Sequence, residues 1–199
     1  MVLPVQEIPL GRSVFEAILA RRSVRAYTPE ILGRNTVHTL LEAAVRAPTA
    51  MHEEPWAFVV VQDKQVLKQL SDRAKPIFIE EVRHRNSHGA LHSFDHFDKP
   101  DFDIFHGAGT LIIICAKPIG QHPDWDCCLA GQNLMLAAHG MGLGTCPIGF
   151  AWPLLEQPDV KEHLQIAPEY RPILPIIVGY PRQPILVVPR NEPEILCWK

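Results

Sequence analysis

DWDCCLAGQNLMLAAHGMGLGTCPIGF, from Asp124 to Phe150, decides how the chain is layered. From Asp124 to Gly140 it is apolar on nearly every side after an acidic start, the pattern of a helix surrounded by protein rather than one lying on a surface. Gly140 is placed as the stop of that helix. MGLGTC then predicts a strand, and the glycines of GLGTCPIGF, Gly142 to Phe150, permit close backbone approach to a flat ligand. There Pro147 has no N–H to offer, whereas Gly149 and Phe150 can donate theirs. The spacing is neither GxGxxG nor that of a P-loop, so it supports neither a dinucleotide fold nor a nucleotide triphosphatase.

Outward from this stretch, TLIIICA (Thr110 to Ala116) and WAFVVV (from Trp56) read as buried strands, and LPIIVGY as another beyond a helix around Leu154 to Leu164. Ser13 and Glu16 fit a capping box for a short helix from Val14 to Ala20. Val37, Leu40, Leu41, Ala44 and Val45 mark a second helix, capped by Asn35 or Thr36 and barred by Pro48. Asp63 caps a third carrying Val66, Leu67 and Leu70. From Arg73 to His106 the periodicity is poor, and the segment reads as a variable excursion. Helices and strands alternate irregularly without an internal repeat, which predicts an α+β or α/β layered domain.

The chain has 199 residues, 47% hydrophobic and 21% charged, which suits one globular domain with a sizeable core. A formal charge of -3 lacks the positive excess of a general nucleic-acid binder. The five cysteines are odd in number and have no CxxC spacing, as expected of free thiols in a reducing compartment. MVLPVQEIPLGRS lacks the build of a secretory peptide, and no apolar run reaches the length of a membrane span, so a cytoplasmic protein is expected. Proline is in excess: there are 19, and ten lie from Pro147 onward.

Three clusters carry candidate chemistry. Arg21, Arg22, Ser23 and Arg25 set three guanidinium groups and a hydroxyl directly after a helix, a competent anchor for a phosphomonoester or simply a solvated basic turn. APTAMHEEPW, Ala47 to Trp56, joins a helix end to a strand and offers Thr49, His52, Glu53 and Glu54 beside a Trp. The third is the Gly142 to Phe150 loop. His84, His88, His92 and His96 recur every four residues like metal ligands, but Gly89 interrupts them and no carboxylate matches the step, so no metal site is expected. Cys128 with a histidine base would be a hydrolase reading, but Cys128 falls in an apolar helix.

In this order and spacing the segments resemble the nitroreductase family of FMN-dependent oxidoreductases. RRSVRAY is similar to its N-terminal Arg-x-Ser-x-basic element, APTAMHEEPW to its Pro-Ser-x-x-Asn-x-Gln-Pro-Trp loop, and DCCLAGQNLMLAAHGMGLGTCPIGF to its central helix and flavin-facing loop. LPIIVGYP with PRNEP is similar to its last core strand and C-terminal arm. The likeness runs from Val14 to Ile195, omitting the stretch around Arg73 to His106. It implies one α+β domain over residues 1–199, with a central, mostly antiparallel sheet flanked by helices and an extended arm over residues 182–199. It also implies an intertwined homodimer with two FMN sites lined by both chains.

Carried over by position, Arg21, Ser23 and Arg190 hold the FMN phosphate with help from Arg22, and Arg25 faces the ribityl and pyrimidine side. Pro48, Thr49, Ala50 and His52 come from the partner chain, while Pro147, Ile148 and Gly149 run along the isoalloxazine. The implied reaction takes hydride from NADH or NADPH to flavin N5 and on to a small electron-poor acceptor such as a nitroaromatic or quinone, with no protein acid or nucleophile. The alternative is a protein that binds flavin or another flat ligand without turnover. Departures from the family pattern are specific. His52 and Glu54 stand where it usually has Asn and Gln, and Val188 where the arm often carries Lys. An imidazole at position 52 predicts turnover that varies with pH near neutrality.

Overall fold

A computed structural model describes residues 13–85, 99, 101–184 and 188–199. Its helices are α1 (Val14–Ala20), α2 (Arg34–Ala44), α3 (Lys64–Arg85), α4 (Pro123–Gly140), α5 (Trp152–Leu155) and α6 (Pro158–His163). Its strands are β1 (Trp56–Val61), β2 (Thr110–Ala116), β3 (Gly144–Pro147) and β4 (Arg171–Gly179). The strands form one sheet in the order β1-β2-β4-β3, and every named pair is antiparallel. The α+β class and the antiparallel sheet expected from the sequence are borne out.

The period of two along β2 explains why that strand is buried at every position. Leu111, Ile113 and Cys115 face one core with Leu67, Leu70, Leu154 and Val160, brought by α3, α5 and α6. Ile112, Ile114 and Ala116 face the other with Leu40, Ala44, Ala130 and Leu134, brought by α2 and α4. Both faces of the sheet are therefore covered, and the polar residue of β2, Thr110, has its hydroxyl satisfied by Gln62 Nε2, which donates to it at 3.0 Å. A side chain at Gly131 would meet Leu174 at 2.3 Å, so that glycine lets α4 lie directly on the sheet.

The local signals at the start of α1 and α3 are realised. Ser13 and Glu16 form the reciprocal capping box, and Asp63 Oδ1 accepts from the amides of Gln65 and Val66 at 2.7 and 3.1 Å. Four expectations are corrected. Helix α2 starts at Arg34 with Gly33 as its cap, ahead of Asn35 and Thr36. The helix around Leu154 to Leu164 is two short ones, each restarted by a proline in its first turn. Gly140 is the last residue of α4, and the left-handed turn that reverses the chain falls two residues later at Gly142, φ 77°.

The fourth correction concerns the poorly patterned stretch. Helix α3 continues through Pro76 as far as Arg85, with Ile77, Phe78 and Ile79 packed on the core. Proline removes one helical hydrogen bond but does not end a helix that tertiary contacts hold on both sides. The histidine series His84 to His96 lies outside the residues whose side chains are described, and the N-terminal stretch before Ser13 lies outside the described residues. Among the described residues no helix is long and apolar enough to cross a membrane, and no cluster of three or more metal-ligating side chains occurs.

Helix α4 is less enclosed than its sequence predicts. Cys127, Ala130, Leu134 and Ala138 are buried, but Trp125, Cys128 and Leu129 are exposed. On α1, Val14, Phe15, Ile18 and Leu19 are all at least half exposed. Both of these helices, which touch each other, thus leave apolar side chains exposed.

Candidate flavin site

The arginine cluster is held against the free edge of the sheet. Beyond α1 the chain runs beside β3: Val24 N–H donates to Thr145 O at 2.9 Å, and Ser23 bridges Thr145. Tyr27 then bridges Pro181 just past β4, its buried hydroxyl donating to Val24 O at 2.8 Å. Two glycines make the approach possible. A Cβ on Gly144 would lie 2.8 Å from Val24, and one on Gly179 would lie 2.9 Å from the Tyr27 ring.

This placement gathers cations, and among the described residues Arg21 has no carboxylate partner. Burial lowers the Arg21 pKa, and the charges of Arg190 and Arg22 lower it further. The C-terminal arm therefore returns Arg190 to the N-terminal cluster. Arg21 Nη1 and Arg22 Nε are buried without a hydrogen-bond partner among the described residues. Arg22 is otherwise engaged with backbone, since its Nη1 donates to Leu19 O at 2.7 Å and Arg21 O at 2.6 Å, closing the end of α1. Cys146, which the sequence reading did not single out, lies beneath the cluster. Burial raises its thiol pKa, while Arg25, the Ser23 hydroxyl and Arg21 pull it down.

On the same edge, β3 leads into Pro147, Ile148 and Gly149. The buried Ile148 donates its amide to Pro175 O at 2.8 Å, and a Cβ on Gly149 would meet nothing within 4 Å. Phe150 is backed by Phe78 of α3, with ring centroids 4.5 Å apart at 64°. Arg21, Ser23, Arg25, Arg190 and this turn thus belong to one corner of one chain.

The loop with Pro48, Thr49, Ala50 and His52 is not in that corner. It leads into Trp56 of β1, paired with Ala116, which pairs with Arg171 at the start of β4. Ser23 sits beyond β3 at Thr145, opposite Val178 near the finish of β4. Four strand spacings separate them across the sheet, about 19 Å before the offset along the strands is added. Residues 50–52 form a 3-10 turn in which Met51 and His52 have φ of 51° and 58°, and Glu54 follows at 46°. Left-handed backbone at a non-glycine residue costs about 1–2 kcal/mol, and such strain concentrates where function needs a fixed geometry. Asp126, a buried carboxylate in the first turn of α4, reaches this loop: its Oδ2 accepts from Ala50 N–H at 3.4 Å. The only trace of it in the sequence is the acidic start of an otherwise apolar helix.

The described residues thus set a basic corner with a serine hydroxyl and an open glycine turn on an antiparallel α+β domain, chemistry suited to a phosphorylated, flat ligand. The sequence profile of the nitroreductase family matches residues 18–180. A protein of Methanothermobacter thermautotrophicus, provisionally named NADH dehydrogenase/NAD(P)H nitroreductase, is 30% identical over 174 residues, covering 85% of this chain and 78% of its own. A 4-nitrobenzoate reductase of Pseudomonas putida is 27% identical over 195 residues, covering 83% of this chain and 85% of its own. A Bacteroides fragilis nitroreductase crystallised with FMN superposes with a TM-score of 0.77 at 26% identity, over 94% of this chain and 98% of that one. This chain belongs to the nitroreductase family. It is by that membership a flavin-dependent oxidoreductase of the NAD(P)H-using type.

Proposed function

We propose that the protein is a homodimer that binds FMN at the arginine corner and reduces a small electron-poor acceptor, such as a nitroaromatic or a quinone, at the expense of NADH or NADPH. One observation carries the reading: Arg21, Arg22 and Arg190 converge beside Ser23, with buried guanidinium nitrogens on Arg21 and Arg22 that have no hydrogen-bond partner, and no carboxylate pairs with Arg21, among the described residues. Burying cations this way is costly unless an anion completes them, and a phosphate takes guanidinium forks bidentately. The residues therefore fit the phosphate of FMN.

Bound FMN supplies hydride acceptance from the nicotinamide and its return to the acceptor. Arg21, Ser23 and Arg190 hold the phosphate, and Arg22 stiffens the end of α1 while offering Nε. Arg25 brings positive charge that favours electron-rich states of the bound ring. Pro147, Ile148 and Gly149 present backbone to its flat face. Pro48, Thr49, Ala50 and His52 complete the site from the second copy. Their distance from the arginine corner of their own chain supports that assignment, as does the apolar surface of α1 and α4. The arm over residues 188–199 is exposed and has no helix or strand, as expected of a segment that docks on a partner. A cytoplasmic setting agrees with the five free cysteines.

The test is the visible spectrum of purified protein, followed by anaerobic addition of NADH and NADPH in turn. A yellow protein that bleaches is the reductase proposed, and the faster donor identifies the nicotinamide. Yellow protein that stays yellow with both is a flavin binder without turnover. Colourless protein that does not take up added FMN ends the proposal.

A further inference from the structure

Asp126 carries the one buried carboxylate among the described residues. Only 6% of the residue is exposed, it lies in the first turn of α4, and among the described residues the single hydrogen bond of its carboxylate is the long one from Ala50 N–H. A buried charge needs partners, and the helix N-terminus supplies part of that support. The remainder points to the loop. Ala50 opens the 3-10 turn and is followed at once by the left-handed residues Met51 and His52, with Glu54 two further on. No glycine in the turn relieves that backbone, so something outside it must hold the conformation. The loop is otherwise largely exposed, with Met51 87% exposed.

We infer that Asp126 is a positioning residue: its carboxylate pins the Ala50 amide, and through it fixes the turn that delivers Thr49, Ala50 and His52 to the flavin of the partner copy. The inference rests on the proposed FMN site. It adds a residue to the site's support that touches neither cofactor nor acceptor. It also explains how a charge is tolerated at the head of an otherwise buried helix face.

The test compares Asp126→Ala with Asp126→Asn, which keeps an oxygen acceptor, and with Ala50→Pro, which removes the donor instead. Thr49 is extended, φ -131° and ψ 150°, the conformation a following proline requires. FMN affinity by fluorescence titration, acceptor KM and kcat, and melting of the apoprotein are measured for each. Asp126→Ala is expected to weaken FMN binding or raise acceptor KM about tenfold, the loss of one charge-assisted hydrogen bond, with Asp126→Asn within about twofold of the parent. Ala50→Pro reproduces the Asp126→Ala loss, and the double variant is no worse than either single one, since both remove the same bond.

Three results overturn the inference: an Asp126→Ala protein with parental FMN affinity and KM, an Asp126→Asn protein as impaired as the alanine variant, or additive losses in the double variant. If Asp126→Ala does not fold, the Ala50→Pro and Asp126→Asn pair decides, and a harmless Ala50→Pro overturns it. A parent protein that binds no FMN would instead defeat the proposed function, a result separate from all of these.

Discussion

Arg190 of the C-terminal arm lies close enough to Arg21, at the end of α1, for its charge to lower the Arg21 pKa. Two like charges held together from opposite ends of a chain need an anion between them. Arg21→Ala is therefore expected to weaken FMN binding about a hundredfold, equivalent to about 3 kcal/mol, the upper range for a hydrogen bond to a charged group. Riboflavin, which lacks the phosphate, should bind parent and variant alike. A variant that loses both ligands equally would mean that Arg21 supports the fold rather than the phosphate.

Removing the arm tests the same corner from the other side. Truncation after Gln183 keeps Arg182 N–H on Ala26 O at 2.9 Å and the Pro181 bridge to Tyr27, but deletes Arg190. The expected product is folded, weaker in FMN binding and shifted toward monomer in light scattering. A stable, flavin-loaded dimer without the arm would refute both roles given to it.

Gly144→Ala places a methyl 2.8 Å from the stiff, branched Val24 side chain. Overpacking of this kind costs about 1–3 kcal/mol, which for a chain of this size lowers Tm by about 2–12 °C. Because Val24 sits between Ser23 and Arg25, FMN affinity should fall along with stability. An unchanged Tm would show that the segment beside β3 yields freely.

Thiol chemistry offers a check on burial. Burial pushes the thiols of Cys115 and Cys127 up to about 12 and also raises that of Cys146. At pH 8 these three have little thiolate and no access, so iodoacetamide should leave all three unmodified in native protein. They should label after unfolding. Fast native labelling, mapped by mass spectrometry, would contradict the packing of β2 on α3, α5 and α6 if it fell on Cys115, and of α4 on the sheet if it fell on Cys127.

Asp72 gives a pH dependence with a definite sign. Its hydrogen bonds to Lys68 at 2.6 Å and, less strongly, Lys75 hold its carboxyl below the usual range. A depressed native pKa stabilises the fold above the ordinary aspartate value near pH 4, and that contribution is lost as pH falls through the native value. The pair is solvent-screened, so the contribution is at most about 1 kcal/mol. Parent protein should melt above Asp72→Asn at pH 7, with the gap closing by pH 3. A gap that widens on acidification would reverse the assignment.

Much of this was legible in the sequence because the signals are local. The Ser13–Glu16 capping box, the Asp63 cap and the strands at Trp56, Thr110 and Leu174 depend on neighbours within one turn or one pleat. The RRSVRAY and GLGTCPIGF elements are likewise contiguous. Helix α3 was not legible past Arg73, because Pro76 reads as a breaker until Phe78 is seen against Phe150. Asp126 was not legible as a support, because its partner Ala50 is distant in sequence.

The sequence by itself determined the layered α+β class, the elements that carry the arginines and the glycine turn, and the likeness to one family. Only the tertiary structure decided that Arg190 meets Arg21, that Cys146 lies under the cluster, and that the His52 loop stands at the opposite corner of its own sheet. The reason is physical. Caps and periodicity are set by interactions a few residues apart. Counter-charge, burial and strand order depend on which distant segments a compact chain brings into contact.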